Sequence, residues 1–129
     1  MKDSTSRDRS TDLGVVRINN DAIATIASIA AMEVKGVYKM GGGIGKTLYE
    51  ALLKKSSSGG VRVHMKDSEA KLTISIIVEY GVDIPRIADE VQENVKLAVE
   101  KMAGLVLSEV DVVVEGVRPK AAQEKEKKI

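Results

Sequence analysis

One segment, Gly41-Gly42-Gly43-Ile44-Gly45-Lys46-Thr47, has residue types and spacing close to a reaction site. A phosphate-binding loop needs a glycine, four residues, then Gly-Lys-Ser/Thr, so that backbone N–H groups cradle phosphates and the lysine neutralises them. Counting back from Gly45 puts Met40 where the first glycine belongs. No apolar strand ending in a magnesium-binding aspartate stands out downstream. The glycines therefore read as a linker, and a nucleotide- or small-molecule-binding regulatory protein using this loop is the alternative reading. His64 is the only histidine, and cysteine is absent, so a transition-metal site beside it would need carboxylates alone. Its even spacing from Arg62 places it opposite Val61, Val63 and Met65, on the outer face of a strand. Ser56, Ser57 and Ser58 lie in a linker with no base and orienting acid to activate them.

Glu79, Asp83, Asp89, Glu90 and Glu93 form the densest acidic group. Paired carboxylates perform acid–base work when their environments split their pKa values. These fall in a turn or on the outer face of a helix, where water keeps carboxylates ordinary, and they match no calcium-loop pattern. No catalytic, cofactor-binding or metal residue is assigned, and the chain reads as a non-enzyme.

The elements that would position such groups follow from periodicity. Gly14-Val15-Val16-Arg17-Ile18 is a short strand, and Asn19, Asn20 and Asp21 supply capping side chains for a helix. That helix carries Ile23, Ile26, Ala30 and Val34 on one stripe, with Ile29 and Met32 well away from it. It is thus apolar on more than one face, and its second face should contact the other helix or another molecule. Lys35-Gly36-Val37 ends it. A short amphipathic helix is expected over residues 46–55, and Ser56-Ser57-Ser58-Gly59-Gly60 breaks the chain. Val61, Val63 and Met65 alternate in period two, as do Leu72, Ile74, Ile76, Val78 and Tyr80, so a hairpin with a polar loop over residues 66–71 is expected. Ile84, Ile87, Ala88, Val91, Val95, Ala98, Val99 and Met102 then recur at helical spacing. Pro85 sits in the first turn and Gly104 beyond the last. Val110, Val112 and Val114 close the series as a strand.

The order β-α-β-β-α-β specifies an α+β, two-layer, ferredoxin-like (split βαβ) domain, with two main helices on one face of a mostly antiparallel sheet. Residues 1–12 read as a flexible arm and residues 13–118 as the domain. Residues 40–60 read as a variable glycine- and serine-rich insert with the short helix, and residues 119–129 as a charged flexible tail.

Composition narrows the function classes. A chain of 129 residues is one domain by size. It has no Phe and no Trp, and only Tyr38, Tyr49 and Tyr80, so Val, Ile, Leu, Ala and Met must build the core. The net charge of +1 hides a division. The arm is neutral, residues 118–129 carry five basic groups against Glu124 and Glu126, and the body holds twelve basic against fourteen acidic. A mildly acidic body, with no aromatic pair on the central strands, argues against nucleic acid. Lack of cysteine fits a reducing compartment. The first residues contain no apolar signal segment and no apolar run is long enough to span a bilayer. A cytoplasmic protein with peripheral or indirect membrane contact is expected.

Four stretches carry a family resemblance: Val78-Glu79-Tyr80-Gly81-Val82-Asp83-Ile84-Pro85, Val91-Gln92-Glu93-Asn94-Val95-Lys96, Met102-Ala103-Gly104-Leu105, and Glu109-Val110-Asp111-Val112-Val113-Val114-Glu115-Gly116-Val117. Together with Gly14 to Ile18, Glu33-Val34-Lys35-Gly36-Val37 and Gly59-Gly60-Val61, they resemble the bacterial alkaline shock protein family, also called Gls-type general stress proteins. The resemblance covers residues 13–117. It implies a small, non-enzymatic cytoplasmic protein of stress response and cell-envelope homeostasis, with no catalytic residues to carry over. It also implies a protein partner, in some members a membrane-anchored one, and self-association in some.

Overall fold

The computed structural model describes residues 6–42, 57–58, 60–66 and 69–121. In chain order the elements are β1 (Ser6–Thr11), β2 (Gly14–Asn19), α1 (Asn20–Met32), β3 (Val37–Met40), β4 (Ser57–Ser58), β5 (Val61–Lys66), β6 (Glu69–Glu79), α2 (Ile84–Ala103) and β7 (Val106–Arg118). The fold is α+β, with two helices packed together on one face of a five-stranded sheet, and β2, α1, β5, β6, α2 and β7 follow the expected β-α-β-β-α-β order along the chain.

β6 organises the sheet because every second residue from Ala70 to Val78 is apolar and buried. Ala70, Leu72, Ile74, Ile76 and Val78 face the helices and are fully buried. On one edge β6 pairs antiparallel with β5 along its first half and with β3 along its second. On the other edge β7 runs parallel to it for its whole length, with irregularities between Ala70 and Lys71 and between Ile76 and Ile77. Three of the four strand pairings are antiparallel.

β3 and β5 meet end to end against the middle of β6. Gly41 N donates to Ser75 O and Ser75 N donates to Gly60 O, both at 2.8 Å. The junction needs glycine at position 60. Its φ is +83°, and a Cβ there would lie 2.7 Å from Gly41 O and 3.0 Å from Ser75 O.

α2 forms for the reasons its sequence shows. Pro85 fits the first turn, Asp83 Oδ1 accepts from Arg86 N at 3.3 Å, and Gly104 closes the helix at φ +67°. Ile87, Val91, Val95 and Val99, four residues apart, are fully buried against the sheet. α1 buries a face of small residues, with Ile23, Ala24, Ala27, Ala30 and Ala31 in the core. Small side chains let the two helix backbones approach, and Asn94 Nδ2 of α2 reaches Ala30 O at 2.7 Å.

Several sequence expectations change. Residues 6–11, expected as part of an irregular arm over 1–12, form β1 and pair antiparallel with β2 from Ser6↔Asn19 to Thr11↔Gly14. Backbone pairing needs no apolar alternation, which these polar residues lack. β2 does not enter the main sheet; with β1 it makes a separate two-stranded one. Tyr38, Lys39 and Met40, given no element from the sequence, belong to β3. The loop expected over 66–71 is shorter, since Lys66 pairs with Glu69. Asn19 occupies the N-cap of α1, but its side chain makes no capping bond. The short helix expected over 46–55 lies outside the described residues.

Candidate interaction surfaces

The residues first considered for chemistry are dispersed. Of the Gly41–Thr47 motif only Gly41 and Gly42 are described, and Gly41 N is taken by Ser75 O while a carboxylate already engages Gly42 N. Gly42 N donates to Glu115 Oε1 of β7 at 2.7 Å. A phosphate cradled there would face that carboxylate, the reverse of what an anion site requires. His64 is exposed on β5, paired in register with Lys71 and two residues from Arg62. Ser57 and Ser58 form the backbone of β4, while Ser56 lies outside the described residues.

The acidic group separates into structural tasks. Asp83 caps α2, Glu90 pairs with Arg86 at 2.7 Å, and Glu79 lies 3.6 Å from Arg118, whose guanidinium stacks 4.4 Å over the Tyr38 ring. Asp89 and Glu93 remain on the exposed side of α2. Among the described residues no group of three or more His, Cys, Asp or Glu could hold a metal ion.

Glu100 is the one described carboxylate held below its usual range. The Leu107 backbone N–H lowers it first, and the Lys96 ammonium second. Its Oε2 accepts from Leu107 N and from Lys96 Nζ, both at 2.9 Å. Gln92 Nε2 donates to Val110 O at 2.9 Å, so side chains of α2 occupy backbone groups at the start of β7.

Among the described residues, three surfaces are left uncovered. The first is the outer side of the helical layer. Ile29 and Met32 of α1 and Leu97 of α2 stand exposed there, Leu97 at 66%. A groove of about 500 Å³ between the helices is lined by Glu33, Val34, Lys35, Glu90, Glu93, Asn94 and Leu97. The second apolar face of α1 is therefore real, and no part of the described chain covers it. Leu97 escaped sequence analysis because it sits among Glu93, Lys96 and Glu100 on the polar side of α2.

The second surface is the β1–β2 hairpin. Leu13 at its turn is 100% exposed, and Val15 and Val16, on opposite faces of β2, are both more than half exposed. The third is the outer edge of β7, which pairs only with β6 among the described residues. Val113 and Val117 are each exposed on its C-terminal half. No helix among the described residues is long and apolar enough to cross a membrane.

Comparison with known proteins adds relatives to this geometry. The sequence model of the alkaline shock protein 23 family, a family of cell envelope-related function, matches residues 8–119. The chain is 34% identical to YqhY of Bacillus subtilis (strain 168) over 108 residues, spanning 84% of this chain and 80% of that one. It is 36% identical to YloU of the same organism over 110 residues, spanning 84% and 92%. A Streptococcus pyogenes serotype M3 protein named stress response regulator gls24 homolog is 28% identical over 126 residues, spanning 96% and 70%. Among solved structures, the MamM CTD matches with a TM-score of 0.48 and 18% identity, over 77% of this chain and 98% of that one.

Proposed function

The chain belongs to the alkaline shock protein 23 family, whose function is cell envelope-related, and from that membership we propose that it acts without catalysis in stress response and envelope homeostasis. It does so by binding a protein partner at the inner face of the membrane. The relatives named as stress response regulators support the physiological side of this reading.

The observation that carries the binding role is the apolar ridge of Ile29, Met32 and Leu97 beside a groove containing Glu33, Glu90 and Glu93. Exposed large apolar residues on a helical layer, beside a groove lined by three glutamates and Lys35, form a docking surface. Its chemistry fits an amphipathic helix with apolar anchors and flanking Lys or Arg, of the kind found where a membrane-anchored protein leaves the bilayer. The folded unit that carries this role is residues 13–118. The tail over residues 119–129, net basic in sequence, favours an anionic surface nearby. Cytoplasmic location, with membrane contact through the partner, completes the proposal.

The test is a pull-down from detergent-solubilised membranes with the wild-type chain and with Ile29→Glu and Leu97→Glu. The expected result is a membrane-anchored protein held by wild type and released by both variants, with unchanged circular dichroism. Recovery of no such protein, or equal recovery by wild type and variants, would sink the proposal.

A further inference from the structure

α1 ends against the usual electrostatic preference. The last carbonyls of a helix give its C-terminal end a partial negative charge, which favours basic residues there and disfavours carboxylates. The last turn of α1 has no basic residue, and its C-cap is Glu33. A local conflict of this kind is expected where a residue serves function rather than stability. Glu33, Val34 and Lys35 line the groove between the helices, so this end of α1 opens into it.

α2 supplies the other wall. Glu90, Glu93, Asn94 and Leu97 recur at i, i+3, i+4 and i+7, one stripe of the helix. Glu90 is held by Arg86 at 2.7 Å, whereas among the described residues no cation pairs with Glu33 or Glu93. Asn94 Nδ2 donates to Ala30 O at 2.7 Å and to Glu33 Oε1 at 3.3 Å, which ties that carboxylate to the contact between the helices. With Nδ2 committed, Asn94 has only its Oδ1 acceptor left to offer. Lys35 is the one cation in the lining, so the polar end of the groove is rich in acceptors. Among the described residues no acidic group is placed to hold a metal ion.

These groups call for a cation with several donors. An ammonium is a compact, strongly hydrated point charge. A guanidinium presents five N–H groups in one plane, bonds separated acceptors at once and is more weakly hydrated, which suits a groove beside apolar side chains. The apolar part of the surface lies one turn away on each helix. Leu97 follows Glu93 by four residues, and Ile29 precedes Glu33 by four. A helix lying there meets apolar side chains and acceptors one turn apart, so its own anchors and its cation belong on one face at that spacing.

We propose that the groove is an arginine socket. The partner helix sets its apolar anchors on Ile29, Met32 and Leu97 and inserts one arginine a turn along, against Glu33, Glu93 and the C-terminal end of α1. Asn94 is a positioning residue, which holds Glu33 where the guanidinium arrives. The charge that α1 leaves uncompensated in the free chain is then met by the partner, so binding and selectivity come from the same contact. The inference rests on the reading of this surface as the partner site and adds the residue by which it selects.

The probe is a set of three alanine-based helical peptides, each with two leucines one turn apart and, one turn further on, arginine, lysine or citrulline. Binding to the full-length chain is read by calorimetry. The arginine peptide should bind about tenfold tighter than the citrulline one, which keeps the shape and loses the charge, and more tightly than the lysine one. Glu33→Gln should remove most of that tenfold, with circular dichroism unchanged. Asn94→Ala should erase the preference for arginine over lysine and leave the citrulline peptide unaffected. Equal weakening of all three peptides would instead make Asn94 a structural residue and overturn its positioning role. Equal binding of the arginine and citrulline peptides, or binding of none of the three, overturns the socket. In the membrane pull-down, equal capture by wild type and Glu33→Gln, with release by Leu97→Glu, refutes the arginine and leaves the partner reading intact. Arginine-selective peptide binding by a chain that captures no membrane protein does the opposite.

Discussion

Replacing Gly60 by alanine tests the junction at which β3 and β5 meet on β6. Two costs add there. The φ of +83° lies in the left-handed region, where a Cβ costs about 1–2 kcal/mol. The new Cβ would also sit 2.7 Å from Gly41 O and 3.0 Å from Ser75 O, both backbone atoms that no rotamer change can move. Relieving that contact loosens the Gly41 N–Ser75 O and Ser75 N–Gly60 O bonds, each worth roughly 1 kcal/mol net. The expected loss is about 2–4 kcal/mol. Gly81→Ala is the matched control, because Gly81 has φ +96° but nothing within 4 Å of its would-be Cβ. Only the torsional cost applies there, and the smaller unfolded-state entropy of alanine offsets both variants equally. Urea unfolding followed by circular dichroism reads the difference: with a slope of about 1.5 kcal/mol per molar, Gly60→Ala should unfold roughly 1 M below Gly81→Ala. Coincident midpoints would show that the junction is not close-packed, and the end-to-end placement of β3 and β5 would be wrong.

Other outcomes follow from single contacts. Glu100 is held below its usual pKa by Leu107 N and Lys96, so its contribution is full above the unfolded carboxylate pKa and is lost as pH falls through the lowered folded value. The stability gap between wild type and Glu100→Gln, measured in urea, should therefore shrink on acidification, and a constant gap would contradict this. Asn94→Ala removes the bond to Ala30 O and should cost about 1 kcal/mol; hydrogen exchange at the C-terminal end of α1 should quicken, and unchanged exchange would refute the tie. Calorimetry with ATP or GTP should give no heat, because Glu115 occupies Gly42 N. Saturable heat abolished by Lys46→Ala would restore the nucleotide reading.

The second half of the chain was the legible half, for a physical reason. α2 spaces Ile87, Val91, Val95 and Val99 by four and ends at a glycine with positive φ, so periodicity and capping agree. β6 alternates without a fault over its inward residues. The N-terminal half carries less of either signal. β1 has no apolar residue, and β3 spans four positions, too few for a period to declare itself. Strand direction was hidden too, because a parallel β6–β7 pair depends on the crossover through α2 and leaves no mark in local alternation. Val110, Val112 and Val114, read as the closing strand, do pack against the core, while Val113, which alternates onto the face away from it, and Val117, near the strand's end, stay exposed. For the proposed docking surface, the second face of α1 was visible in Ile29 and Met32. Its continuation across Leu97 required the two helices to be placed side by side.

The parallel pairing of β6 with β7 also sets the order in which the molecule can assemble. β6, α2 and β7 are consecutive in the chain and bring together all five inward residues of β6 and the valine stripe of α2. α1, by contrast, buries chiefly alanines, too little apolar area to hold a helix without the platform those later elements provide. On a ribosome, α1 emerges before β6, α2 and β7 and lacks that platform. The C-terminal βαβ unit is therefore expected to form first and the N-terminal half to condense onto it, which folding-rate measurements on core substitutions in α2 and in α1 would check.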